Sequence, residues 1–224
     1  MHREGPPAMT WVWRQGILRR PTGIEAGAFT GPRHPGRPSG RVVVKLGGSL
    51  LTVSGWPAAV TSLVASLGRP AVIVVGGGAV VDGVRSLDEA AGLEPVIAHR
   101  LAIDALRITA TSVAVATGLA LSAYPEREND GTVLDTPAWL DEAGRFAALP
   151  VGWHVTSDSI AAQVATSLCC PLVLVKMVPP PGDGGVRVAA TAGWVDPFFP
   201  EAAAGVEWID WAVPAGPAAE PPTH

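Results

Sequence analysis

The sequence predicts an α/β fold: a largely parallel sheet with helices packed on both faces. Residues 41–46, 70–75 and 171–176 are strand-length and almost wholly apolar. Strands of that kind suit a sheet covered on both sides. They alternate with helix-length segments, the pattern of parallel βα units. Two of them run straight into consecutive glycines, and ligands in such folds sit beyond the carboxyl ends of the strands.

Residues 1–40 are rich in Gly, Pro and Arg and lack sustained periodicity, apart from a short Trp11-Val12-Trp13 patch. They are expected to be a disordered extension, or to precede the true start of the chain. A secretory signal would need a longer apolar segment, and the Pro and Gly content disfavours the amphipathic helix of a transit peptide. The domain is expected over 41–213. A strand at 41–46 leads to a helix near 56–67, and a strand at 70–75 leads to a helix near 79–91. A long helical segment follows near 95–121, its small residues suited to close packing. Tyr124 to Thr136 reads as irregular. Thr156-Ser157-Asp158 resembles a helix cap, opening a helix that runs to about 168. A strand at 171–176 comes next, then shorter strands near 186–190 and 206–213. Trp194, Trp208 and Trp211 are placed in those late strands, as core or subunit-interface residues. Residues 214–224 read as a disordered tail.

The chain has 224 residues and a net charge of −4, unevenly spread. Residues 1–41 carry +5, and residues 42–224 carry −9. An acidic domain argues against a nucleic-acid partner. No apolar run approaches the roughly 18 residues of a membrane span. Cys169 and Cys170 match no zinc spacing and read as small buried hydrophobes in a reducing, cytoplasmic setting.

Chemistry is concentrated at the two glycine turns, Lys45-Leu46-Gly47-Gly48-Ser49 and Val75-Gly76-Gly77-Gly78. Without a Cβ, backbone N–H groups can converge on an anion. Two such turns on adjacent strands would hold two anionic groups side by side, as phosphoryl transfer requires. The chain has only two lysines, Lys45 and Lys176, against fourteen arginines. Both end apolar runs, where a cation is costly unless it meets an anion. Phosphate contact is the favoured reading for Lys45. For Lys176, phosphate contact and plain solvation stay open. The P-loop and dinucleotide fingerprints are absent: no Gly-Lys-Ser/Thr follows four spacers, and Val81 stands where a third glycine would.

Three motifs in order, Val44-Lys45-Leu46-Gly47-Gly48-Ser49, Val74-Val75-Gly76-Gly77-Gly78 and Thr156-Ser157-Asp158-Ser159-Ile160-Ala161-Ala162, resemble the amino acid kinase superfamily. The resemblance covers roughly residues 41–212. It implies a three-layer α/β/α sandwich and transfer of the γ-phosphoryl of ATP, with Mg²⁺, to a carboxylate, carbamate or phosphate. The Val155–Ala162 block, His99-Arg100-Leu101-Ala102-Ile103 and Gly193-Trp194-Val195-Asp196-Pro197-Phe198 are most similar to a small branch. That branch phosphorylates (aminomethyl)furanyl-methyl phosphate to its diphosphate in making methanopterin-type cofactors. The resemblance also implies a homo-oligomer.

On that resemblance, Lys45 contacts the transferring phosphoryl oxygens. Gly47, Gly48 and Ser49 lie against the donor phosphates, and Gly76, Gly77 and Gly78 hold the acceptor. Asp158 orients the lysines. Lys176 takes the second cationic role, because no later lysine exists; a weakened donor site is the alternative. The loop 178–185 is expected to border the adenine or ribose. Arg85 is expected to clamp the acceptor phosphate, with a solvated helix face as the alternative. Asp82 either pairs with Arg85 at i,i+3 or receives a substrate ammonium. His99 and Asp104 are further pocket candidates. The rivals are a kinase of a nucleoside monophosphate or acyl carboxylate, and a non-catalytic nucleotide-binding protein.

Overall fold

The structure is a computed structural model that describes residues 11–18, 40–125, 131–182, 185–206 and 208–217. Its sheet has seven strands: β1 (Trp11–Ile17), β2 (Val42–Leu46), β3 (Ala71–Val75), β4 (Ala120–Ser122), β5 (Thr132–Leu134), β6 (Leu172–Val175) and β7 (Ile209–Pro217). Their spatial order is β1-β7-β6-β2-β3-β5-β4. All neighbours are parallel except β1 and β7. The helices are α1 (Trp56–Ser66), α2 (Ala79–Ala91), α3 (Pro95–Thr117), α4 (Thr136–Asp141), α5 (Ser157–Ser167), α6 (Gly185–Thr191) and α7 (Phe199–Ala202). None of the described helices is long and apolar enough to cross a membrane.

Alternation along the central strands divides the core in two. Val43, Val72 and Val74 face a cluster that includes Ile160 and Val164 of α5 and Leu106 of α3. Val42, Val44, Ile73 and Val75 face Val60 and Leu63 of α1 and Val113 of α3. The result is the three-layer α/β/α sandwich expected. From β2 the chain first builds outward through β3 to β5 and β4, then crosses back to place β6 on the other side of β2. The carboxyl end of β2 is therefore the switch point of the sheet, where a crevice opens.

Several expectations need correction. Residues 186–190 are not a strand but lie in α6, with Val186 and Ala189 buried three apart on one face. The edge beside β6 is already filled by β7, so the β-branched run has no ladder to join. Trp194 therefore follows a helix rather than lying in a strand. Trp11–Ile17, inside the stretch expected to be an extension, pairs antiparallel with β7, and β7 continues to Pro217 in the expected tail. This long-range pairing leaves no local periodic signal. The long helix stops at Gly118 (φ 73°), whose left-handed conformation ends it before β4. The segment 124–136 holds β5 and the start of α4; residues 126–130, like 1–10, 19–39 and 218–224, lie outside the described residues. Cys170 is buried as expected, whereas Cys169 is exposed.

Asp210 in β7 is buried, opposite Val173, with Trp208 Nε1–H donating to Oδ1 at 2.8 Å. Burial pushes its carboxyl up to about 7, against the smaller pull of the Trp208 bond and of Arg69. The folded state thus holds a proton between pH 4 and 7 that the unfolded chain releases. Relative to Asp210→Asn, the wild type is expected to lose stability as pH rises through that window, by up to about 1.4 kcal/mol per pH unit, and to level off above it. Urea midpoints of the two proteins from pH 4 to 8 would reveal the difference; parallel curves would refute a raised pKa.

Candidate active site

Lys45 and Lys176 reach the same point from neighbouring strands. Lys45 is the penultimate residue of β2, and Lys176 directly follows β6, which pairs with β2. Between them stands Asp158, in the first turn of α5. Lys45 Nζ lies 2.7 Å from Oδ1, and Lys176 Nζ lies 2.7 Å from Oδ2. The Lys176 contact is an aligned hydrogen bond; the Lys45 contact is close without that alignment. Lys176 Nζ also donates to the Trp194 carbonyl and lies 4.8 Å from the centre of the Trp194 ring.

Two of the three charges are almost out of water, and Lys176 is partly buried. Asp158 is 4% exposed and Lys45 5%. Burial alone would raise the Asp158 carboxyl, but the Lys45 and Lys176 charges outweigh it and hold the carboxyl below its usual range. Burial and then the like charge of Lys45 lower Lys176, against the opposing pull of Asp158. Two cations on one anion leave a net +1 in a low-dielectric crevice, an arrangement that attracts an anion. Asp158 is not the N-cap of α5. Thr156 fills that position, its Oγ1 accepting from the Asp158 N–H at 3.3 Å.

The glycine turns lie against each other. A Cβ on Gly48 would sit 2.1 Å from Gly78 N, and one on Gly78 (φ 49°) would meet Gly48 C at 2.7 Å. Only a bare backbone allows this approach. Not every N–H in the turns is free, however. Gly47 N–H donates to Val175 O and Gly76 N–H to Leu46 O, both at 2.8 Å, tying the strand ends together. The N–H groups of Gly48, Ser49, Gly77 and Gly78 have no such partner among the described residues, and these four are the donors left for an anion. Gly48→Ala is expected to push the turns apart and cost about 1–3 kcal/mol of stability, as overpacking does. Chemical denaturation measures this; an unchanged midpoint would mean the turns separate freely.

Beside the triad lies a cavity of about 190 Å³. Lys45, Gly48, Gly76, Gly77 and Gly78 form its inner end. Val81, Asp82 and Arg85 of α2 form one wall, and His99, Ala102, Ile103 and Leu106 form a single face of α3. The structure thus brings eight sequence-predicted residues, Lys45, Gly48, Gly76, Gly77, Gly78, Asp82, Arg85 and His99, onto one cavity. Lys176, Gly47 and Ser49 do not line it. Asp104 is also outside it, held at 3.0 Å by Arg100 one turn away. The i,i+3 pair forms: Arg85 Nη1 lies 3.1 Å from Asp82 Oδ1. It is solvent-exposed and contributes little to stability.

Sequence reasoning missed Trp153. Its ring lies 4.7 Å beneath the Arg85 guanidinium and its Nε1–H donates to Asp88 Oδ2 at 2.8 Å, so it props Arg85 at the cavity mouth. Nothing in its local sequence marks it; it stands in a loop brought to α2 by the fold. His99 Nδ1 accepts the Gly152 N–H at 3.4 Å, and its buried Nε2 has no partner among the described residues. Burial, aided by nearby His154, holds this imidazole below its ordinary value. A neutral ring accepting at Nδ1 carries its proton on Nε2. Asp196 was missed as well, although the block containing it was noticed.

Residues 40–147, just under half of the chain, match the family model described as the amino acid kinase family. Among solved structures, the uridylate kinase of Archaeoglobus fulgidus superposes with a TM-score of 0.53 at 16% identity, over 79% of this chain and 91% of that one. The UMP kinase of Ureaplasma parvum gives 0.49 at 15% identity, over 64% and 71%. No curated protein matches the sequence. Residues 40–147 are thus similar to the amino acid kinase family, and the likeness to the uridylate kinase is one of fold.

Proposed function

We propose that the protein is an ATP-dependent phosphotransferase acting on a small phosphate monoester, with (aminomethyl)furanyl-methyl phosphate as the acceptor. The observation that carries this reading is the buried Lys45–Asp158–Lys176 triad at the end of a cavity walled by a glycine turn. Phosphoryl transfer asks mainly for positioning and charge neutralisation, and this site supplies both. An acceptor phosphate oxygen attacks the γ-phosphorus of ATP, the bond to the β–γ bridging oxygen breaks, and ADP leaves with that electron pair. Lys45, at the boundary of cavity and triad, neutralises the transferring group. Lys176, outside the cavity, serves the donor side with the Gly48 and Ser49 N–H groups. Gly77 and Gly78 N–H groups hold the acceptor phosphate, and Arg85 reaches it from the mouth.

The donor set fits a polyphosphate: two ammonium groups and four unengaged backbone donors. Mg²⁺ bound to the phosphates would neutralise charge as the bridge bond breaks. It would be held by phosphate oxygens, because both Asp158 oxygens already face lysines. The cavity is smaller than the roughly 300–1,000 Å³ of drug-sized ligand sites, which favours a compact acceptor over a nucleotide. In this reading Asp82, also paired with Arg85, would receive the substrate amine, and His99 Nε2–H would donate to an uncharged oxygen.

The test is an acceptor panel with Mg-ATP: the furan phosphate, UMP and a short carboxylate, with ADP release measured for each. Turnover with the furan compound alone is expected. Turnover with UMP instead would move the reading to a nucleotide kinase. ATP binding without any turnover would favour a binding protein.

A further inference from the structure

The most heavily bonded carboxylate among the described residues belongs to neither glycine turn nor triad. Asp196 lies between α6 and α7, is 6% exposed, and accepts five hydrogen bonds. Four come from the start of α5. Oδ2 accepts Thr156 N–H at 3.1 Å, Thr156 Oγ1–H at 2.8 Å and Ser159 N–H at 3.1 Å, and Oδ1 accepts Ser159 Oγ–H. The fifth, Phe198 N–H to Oδ1 at 3.1 Å, fixes the carboxylate in its own turn. Asp158 sits between the two residues so gripped.

A helix start leaves backbone donors unsatisfied and carries partial positive charge. It can therefore take a substrate phosphate. In α5 two of those donors are already taken. Asp196 occupies the Ser159 N–H, and Thr156 Oγ1 occupies the Asp158 N–H.

The same segment grips the other side of the triad. Trp194, two residues earlier, accepts from Lys176 Nζ through its carbonyl and lies under that ammonium with its ring. Its Nε1–H donates to Val178 O at 2.8 Å, anchoring the stretch beyond Lys176. Trp194-Val195-Asp196 thus touches Lys176 at one end and frames Asp158 at the other. Both are charged groups whose mutual placement sets the field at the transfer site.

We propose that Asp196, through the Trp194–Asp196 segment, is a positioning residue for phosphoryl transfer: it fixes the Asp158 carboxylate between Lys45 and Lys176. Its negative charge also helps sustain the Lys176 ammonium against burial. The catalytic part of this inference rests on the kinase reading above; the positioning part does not.

The chain's two lysines make the test direct. Lysine labelled with ¹³C at Cε gives two resonances, each titrating with its own ammonium, in the free protein without any substrate. Asp196→Asn keeps the shape but loses the charge and one acceptor. It is expected to lower the Lys176 titration midpoint measurably, to lower kcat about 10–100-fold as misplaced charge does, and to leave the acceptor KM within about threefold. Ser159→Ala, which removes a single bond to Asp196, should shift the same midpoint less, and it serves as the test should Asp196→Asn fail to fold. Leu63→Ala, in the opposite core, should destabilise the protein and leave the Lys176 midpoint in place. An unmoved Lys176 midpoint in the folded Asp196 and Ser159 variants would overturn the proposal. If the wild type transfers no phosphoryl group, the kinase reading fails, and the lysine titration still decides whether Asp196 positions the triad.

Discussion

Lys45→Met is expected to lower kcat by roughly 10²–10³-fold, the loss that follows removal of one preorganised charge donor in a dry site. The fold should survive it. Lys45 is one of two cations on a single buried carboxylate, so its removal leaves a neutral Lys176–Asp158 pair and relieves the repulsion that lowers Lys176. The lost stem packing is offset in part by methionine, which fills similar space. Stability should therefore change little while turnover collapses. Circular dichroism and a thermal melt alongside initial rates separate the two. A variant that unfolds would make Lys45 structural, and one that turns over normally would remove it from the mechanism.

Asp158→Asn is expected to do the reverse on stability. It leaves two ammonium groups in a buried crevice with no anion between them. Removing one partner of a buried ion pair typically costs about 3–5 kcal/mol. Lys176, already lowered by burial and by Lys45, loses its main counter-charge and sheds its proton at still lower pH. The sign follows: where the folded state has lost a proton that the unfolded lysine keeps, stability rises with pH. The Asp158→Asn protein should thus be more stable in mildly alkaline than in neutral buffer. Triphosphate should also rescue it, because a ligand bound only by the folded state at 100 times its Kd adds about 2.7 kcal/mol. Denaturant midpoints with and without triphosphate check both effects. A variant as stable as the wild type at neutral pH, indifferent to pH and to triphosphate, would mean that the lysines do not depend on Asp158.

Local chemistry made much of this legible. The parallel core could be read because β2, β3 and β6 are buried on both faces and so carry unbroken apolar runs. The triad was legible chiefly through the resemblance to the amino acid kinase superfamily; local chemistry added only that a lysine ending such a run has few affordable fates. What escaped depends on contacts distant in sequence. β1 is a strand only because β7 offers an edge nearly two hundred residues later. α6 is β-branched enough to pass for a strand, and only the occupied sheet edge decides against it. Trp153 and Asp196 bear no local mark of their roles; each matters through a partner 65 or about 40 positions away. The glycine turns were half legible. Their close approach follows from composition, but which N–H groups stay free depends on how the strand ends are stitched.

In the proposed reaction, phosphoryl transfer occurs between the glycine turns under Lys45 and Lys176. The most direct measurement is mass spectrometry of (aminomethyl)furanyl-methyl phosphate incubated with Mg-ATP and the wild-type protein, run beside Lys45→Met with ATP binding confirmed by calorimetry. Diphosphate and ADP are expected in equal amounts from the wild type, with essentially none from the variant. Diphosphate formed equally by both proteins would contradict the proposal, because the transfer would then take place away from this site.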